Sequence, residues 1–233
     1  MPRVDTTILK TRKYTVLLTL LLVSLVVETF NARGGWLLFS AAFGTVLIIA
    51  IWAVVFDQPR DRVRMGALLC VALIIFWLQL LTEARLDYAL TIAEQAARSI
   101  FEAVAVYVIL RDLLRDPSRG TENILGALCG YLIAGNVWAS LNAIAYLLVP
   151  MAYNIDPAIT SQLPGWHART ALFTYYAFTQ VVSIGYADIT PVTAPATTLS
   201  LFAALFGAFY MAVVVSLFIN LAQSKRTRPP ESQ

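Results

Sequence analysis

Six long apolar stretches, at 14–30, 36–56, 65–81, 88–110, 122–149 and 196–222, constrain this chain more than anything else in it. Crossing a ~30 Å hydrocarbon core takes about 20 helical residues, and each stretch approaches or exceeds that length. None shows the period-two alternation of a membrane β-barrel, so helices are expected throughout. Hydrophobic residues make up 59% of the 233 and charged ones only 13%. That is too little charge to clothe a soluble globule of this size. The expected fold class is an all-α membrane protein with six transmembrane helices.

The basic residues orient those helices. Arg3, Lys10, Arg12 and Lys13 precede the first span; Arg60, Arg62 and Arg64 follow the second. Arg111, Arg115 and Arg119 follow the fourth, and Lys225, Arg226 and Arg228 the sixth, so that 13 of 17 basic residues share one side. The positive-inside rule makes that side cytoplasmic and both termini with it. A multi-pass protein of a plasma or inner membrane is expected, and the net charge of +3 reports topology rather than nucleic-acid binding. Lys10, Arg12 and Lys13 lead the first run as they would a secretory signal. No small-x-small site closes it, so an uncleaved helix is expected. Cys70 and Cys129 lie in separate apolar spans without metal-ligand spacing and are read as buried structural thiols.

Polar composition divides the chain. Residues 1–13 are a cytoplasmic N-terminus, 14–110 a four-helix membrane domain, 111–121 a cytoplasmic linker, 122–222 a second membrane domain, and 223–233 a cytoplasmic tail. The first half of the linker patterns as an amphipathic helix, which Pro117 and Gly120 end. The second domain reads as helix, extracellular turret (151–168), short re-entrant helix (about 169–182), loop and helix, with no internal repeat.

The loop is Ser183-Ile184-Gly185-Tyr186-Ala187-Asp188. Non-helical backbone at membrane depth is tolerated only where protein buries it or it lines water. The loop is therefore either an ion filter or a buried re-entrant turn. As a filter, the carbonyls of Ser183, Ile184, Gly185, Tyr186 and Ala187 would replace an ion's hydration shell, with the Ser183 hydroxyl added at the inner mouth. One loop cannot enclose an axial path, so a closed ring of subunits is implied.

This run resembles the TVGYG filter of potassium channels followed by its aspartate, with Ser for Thr, Ile for Val and Ala187 for the second glycine. The layout of 122–222 resembles the pore domain of tetrameric potassium channels, and the four preceding helices match six-helix channels in architecture only. The resemblance implies a homotetramer in the lipid bilayer that passes K+ passively, with no cofactor beyond the permeating ion. It places Gly207, 22 residues after Gly185, at the hinge of the inner helix. Tyr175 and Tyr176 fall where the family carries an aromatic pair behind the filter, and Tyr176 is expected to brace Asp188. Thr179 stands where some members carry a glutamate. Ala187 replaces a glycine of positive φ, at about 1–2 kcal/mol for an L-residue. A loop that holds this strain stays K+-selective, and one that relaxes becomes a weakly selective cation pore.

On the last helix Met211, Val215, Phe218 and Ile219 recur at helical spacing. An apolar face of this kind closes a pore by dewetting or simply packs against its neighbours, and both readings stay open. In the fourth span Arg98 is flanked four residues away on each side by Glu94 and Glu102, a structural ion-pair ladder on one face. Voltage sensing needs several arginines, each worth about 2.3 kcal/mol per 100 mV, so weak voltage dependence is expected. His167, beside Trp166, is either an idle surface side chain or a reporter of external pH. No nucleophile–base pair, metal-ligand cluster or phosphate-binding loop points to an enzyme, and a single interrupted helix argues against a transporter. A non-conducting membrane subunit or sensor with a pore-like fold is the alternative of another class. The tail after residue 222 is short for a ligand-binding domain, so a gating signal is expected from the membrane, the turret or an unidentified partner.

Overall fold

The structure, a computed structural model, describes residues 13–31, 37–56, 59–82, 88–115, 120–160, 166–185, 188–217 and 219. Each of the six apolar stretches is helical over its described residues except at the last residue of two of them, Phe56 and Val149. The helices are α1 (Lys13–Asn31), α2 (Leu37–Val55), α3 (Pro59–Thr82), α4 (Tyr88–Arg115) and α5 (Thr121–Leu148). A strand β1 (Tyr153–Ile155), a single turn α6 (Pro157–Thr160), a helix α7 (Trp166–Val181) and a strand β2 (Ile189–Pro191) follow. The chain then enters α8 (Ala194–Phe209), which continues as a π-helical segment, Tyr210–Val215. Two of these are long and apolar enough to cross a membrane, Thr121–Leu148 and Ala194–Val215; Lys13–Val27 and Ala42–Val55 are shorter apolar helices.

Helix α4 runs unbroken past Leu110 to Arg115. No glycine or proline interrupts it there, and the amphipathic start of the linker simply prolongs it. Its end is tied to the start of α1 and α5. Asp112 accepts hydrogen bonds from Lys13 Nζ (3.2 Å) and Tyr14 Oη (2.9 Å). Glu122 accepts from the Tyr14 amide (3.4 Å) and Thr15 Oγ1 (3.0 Å). Two carboxylates flanking the linker therefore cap the first turn of α1, where a helix has unsatisfied N–H groups and favours negative charge.

The main core lies between α1, α2, α4 and α5, built on Tyr14, Leu17, Ile51, Phe101, Ile109, Leu113 and Ile133. Helices α1 to α4 expose Leu22, Val26, Ile49, Ile74 and Tyr107 on their outward faces, as lipid-facing helices do when water is not their solvent. Cys129 is buried and its thiol donates to the Tyr14 carbonyl at 3.5 Å, but Cys70 is exposed, contrary to the expectation for both. An outer cluster joins α5, β1, α7, β2 and α8 through Tyr153, Phe173, Tyr176, Ile189 and Ala196. Strands β1 and β2 pair antiparallel, with Asn154 opposite Thr190. This ribbon clasps the chain before α7 to the chain just after the 183–188 loop.

In α4, Arg98 Nε bonds Glu102 Oε1 at 3.1 Å, while Glu94 and Glu102 are both buried. Arg98→Gln leaves the Glu102 carboxylate buried beside a neutral partner, and stability is expected to fall by about 3 kcal/mol in denaturant titration. The slope of any conductance–voltage curve is expected to hold. A slope that falls in this variant would make Arg98 a gating charge.

Candidate ion-conduction site

The site is assembled by the end of α7, the loop after it and the middle of α8. Helix α7 stops because Ser183 turns into the left-handed region, φ 59°. The amide of Ser183 donates to Gln180 O (2.8 Å) and that of Ile184 to Thr179 O (2.8 Å), the paired bonds of a Schellman C-cap. Glycine normally fills the left-handed slot; a serine there holds about 1–2 kcal/mol of backbone strain. Gly185 is also left-handed, φ 64°, and its amide turns back to Thr179 O at 3.1 Å. Ile184 between them is not left-handed.

Alternation of this kind gathers successive N–H groups on one side of the chain and leaves the carbonyls to the other. Ser183, Ile184 and Gly185 are exposed, and among the described residues nothing donates to their carbonyl oxygens. Such a row can coordinate a dehydrated cation. Tyr186, Ala187 and Phe218 lie outside the described residues, as does the side chain of His167, so the expected strain at Ala187 has its visible counterpart at Ser183 instead.

The brace at the outer end differs from the expected one. Tyr175, not Tyr176, reaches Asp188, with Oη 3.2 Å from Oδ2. Adjacent residues on an α-helix point about 100° apart. Tyr175 thereby faces the loop, half-exposed, while Tyr176 is buried and shares a 2.7 Å hydrogen bond with Ser200 of α8. Tyr176 also stacks edge-on with Tyr153, whose hydroxyl donates to Asn142 Oδ1 at 2.6 Å. Burial first, and Tyr176 second, push the Tyr153 phenol up. Thr179 is buried and spends its hydroxyl on Tyr176 O at 2.7 Å, while its own carbonyl holds the loop. Tyr176→Phe is therefore expected to cost about 1 kcal/mol in thermal unfolding and Tyr175→Phe under 0.5. The reverse order would reinstate the Tyr176–Asp188 pairing.

Behind the loop, Gly207 meets the backbone of Val181. A Cβ on Gly207 would collide with Val181 O and lie 2.7 Å from Val181 C and 3.0 Å from its Cα. Three residues on, the π segment starts, and its wider turn breaks the 3.6-residue spacing that groups the inner-helix residues in sequence. Met211 and Ile219 are exposed, whereas Val215 is buried with Tyr131, Val181, Ala203 and Tyr210. Met211 is thus open in the single chain while Val215 packs into this cluster. Tyr131 and Tyr210 are the site residues that sequence reasoning missed. The available signal was the small residue Gly130 beside Tyr131, a spacing that lets another element approach closely: a Cβ there would lie 2.5 Å from the Tyr210 hydroxyl.

No curated protein and no solved structure matches the chain. Residues 126–224 match a family model described as Ion channel. The match covers nearly all of α5, the re-entrant helix with its loop, and the inner helix, and it supports an ion-channel family of the potassium-channel type for this segment.

Proposed function

We propose that this protein is a potassium-selective channel in which four copies surround one axial pore lined by the carbonyls of Ser183, Ile184, Gly185, Tyr186 and Ala187. The observation that carries this reading is the loop's own bonding. Its amides are turned back onto α7 and its carbonyls are left exposed, inside a segment similar to ion channels. A single chain leaves that row open on one side, and α8 beside it exposes Leu201, Phe202, Leu205 and Phe209. Copies related by a closed rotation would cover this apolar face and complete the ring at once. All six long helices would lie in the bilayer with both termini cytoplasmic, and the protein would carry no reaction chemistry. The test is a K+ flux into proteoliposomes driven by a K+ gradient and blocked by barium. Absence of flux across voltage, pH and lipid composition would favour a non-conducting subunit instead.

Selectivity depends on position 187. With alanine there, K+ over Na+ preference is expected to survive but to fall short of that given by glycine, because a left-handed residue at this position would strain an alanine and not a glycine. Ala187→Gly should sharpen the preference, read as a shift in bi-ionic reversal potential. Equal permeability in the native chain, with recovery in the variant, would make this a weakly selective cation channel.

A further inference from the structure

A helix leaves its last four carbonyls without intrahelical donors, and in α7 these belong to Phe178, Thr179, Gln180 and Val181. Three are taken by the chain that follows. Phe178 O receives the Val182 amide at 3.0 Å, Thr179 O the Ile184 and Gly185 amides, and Gln180 O the Ser183 amide. The fourth, Val181 O, lies two residues before the first carbonyl of the loop and receives no backbone donor among the described residues. Tyr131 reaches it from α5, its hydroxyl donating at 3.2 Å in a buried setting. The Tyr131 ring rests against Tyr210, centroids 5.5 Å apart. Tyr210 is itself pinned, since its hydroxyl donates to Ala127 O at 2.8 Å in the hollow left by Gly130. It is also the first residue of the π segment.

We propose that Tyr131 is a positioning residue for the filter: its hydroxyl holds the Val181 carbonyl out of the ion path and so fixes the peptide plane from which Ser183 enters its left-handed turn. Tyr210 braces the Tyr131 ring, so the start of the π segment and the inner mouth of the filter share one contact chain through α5. Without the hydroxyl, Val181 O is a buried acceptor that has lost this donor, and the 181–182 peptide is free to rotate in search of another. The Thr179 carbonyl then loses its alignment with the Ile184 and Gly185 amides, and the innermost carbonyl ring loosens.

This proposal rests on the reading of 183–187 as a filter, and two measurements separate the two. The first is amide hydrogen exchange on the full chain in detergent or nanodiscs, which needs no conduction. Tyr131→Phe, which keeps the ring, is expected to speed exchange at Ile184 and Gly185 about fivefold, the factor that one net hydrogen bond represents. Tyr176→Phe, which removes a still more deeply buried phenol hydroxyl from the same region, should leave both amides unchanged. The second is the bi-ionic reversal potential, where Tyr131→Phe should lower the K+/Na+ permeability ratio by a similar factor. Unchanged exchange in Tyr131→Phe, or equal acceleration in Tyr176→Phe, overturns the positioning role whatever the currents show. Faster exchange with unaltered selectivity overturns the link to the filter. Native chain that conducts nothing defeats the filter reading, while the exchange result still decides the positioning role. Should Tyr131→Phe fail to assemble, Tyr210→Phe keeps both rings and frees the brace; it should accelerate the same two amides, and no change there overturns the proposal.

Discussion

Gly207→Ala is expected to destroy the site from behind. Its Cβ would enter the space of the Val181 carbonyl, which is held by backbone on one side and by Tyr131 on the other. Overpacking against a side chain is relieved by a rotamer change; here the obstacle is main chain, and α7 or α8 has to shift. A loss of about 3 kcal/mol per chain, the upper end of overpacking effects, is expected in thermal unfolding, together with loss of K+-driven flux. A variant of unchanged stability and selectivity but altered open probability would return Gly207 to the role of a hinge.

Gly185→Ala is expected to be as damaging to conduction and nearly silent in folding. Within the chain, a Cβ at Gly185 meets nothing within 4 Å, so space is not the obstacle. The obstacle is φ 64°, which costs an L-alanine about 1–2 kcal/mol. The loop is exposed in the single chain and can relax toward negative φ, which swings one carbonyl out of the row. In a ring of copies the displacement repeats around the pore. The K+/Na+ ratio should fall by about tenfold or more, the equivalent of about 1.4 kcal/mol, while the unfolding temperature stays within a few degrees. If the variant retained full selectivity, the left-handed carbonyl at 185 would not be part of the ion path. The two glycines thus make opposite predictions for stability and the same one for flux, which separates the demand for space from the demand for a dihedral.

The helices were legible because their apolar runs are long and their ends carry polar or breaking residues. The short helix Trp166–Val181 and the break after it were legible because a short apolar run ends at a stretch carrying glycine. Much of the bracing was not. Tyr175 and Tyr176 are adjacent, and only the rotational setting of α7 decides which faces Asp188. The ribbon of Tyr153–Ile155 with Ile189–Pro191 is too short for period-two alternation to register, and a proline at its end argues against a strand on sight. Ser183 gives no hint of φ 59°, since serine is not a residue that favours that region. Cys70 was misplaced because apolar neighbours mark a membrane helix without marking which of its faces meets protein. The spacing of Met211 and Val215 does not tell which of them packs inward along the π stretch, and Val215 is the one that joins the buried cluster.

That stretch, Tyr210–Val215, acts as a one-residue phase shift in the inner helix. A π turn holds one residue more than an α turn over nearly the same rise, so every position beyond it is displaced by about 100° from where an unbroken α-helix would set it. The part of the helix before the π segment is anchored at Gly207 by the Val181 backbone, and the phase therefore governs only the part that follows it. Interconversion of π and α geometry at this point would rotate which side chains face the axis, without bending the helix and without unseating α7. One sequence thus admits two rotational settings for the end of this helix, chosen by where one residue's worth of winding is stored.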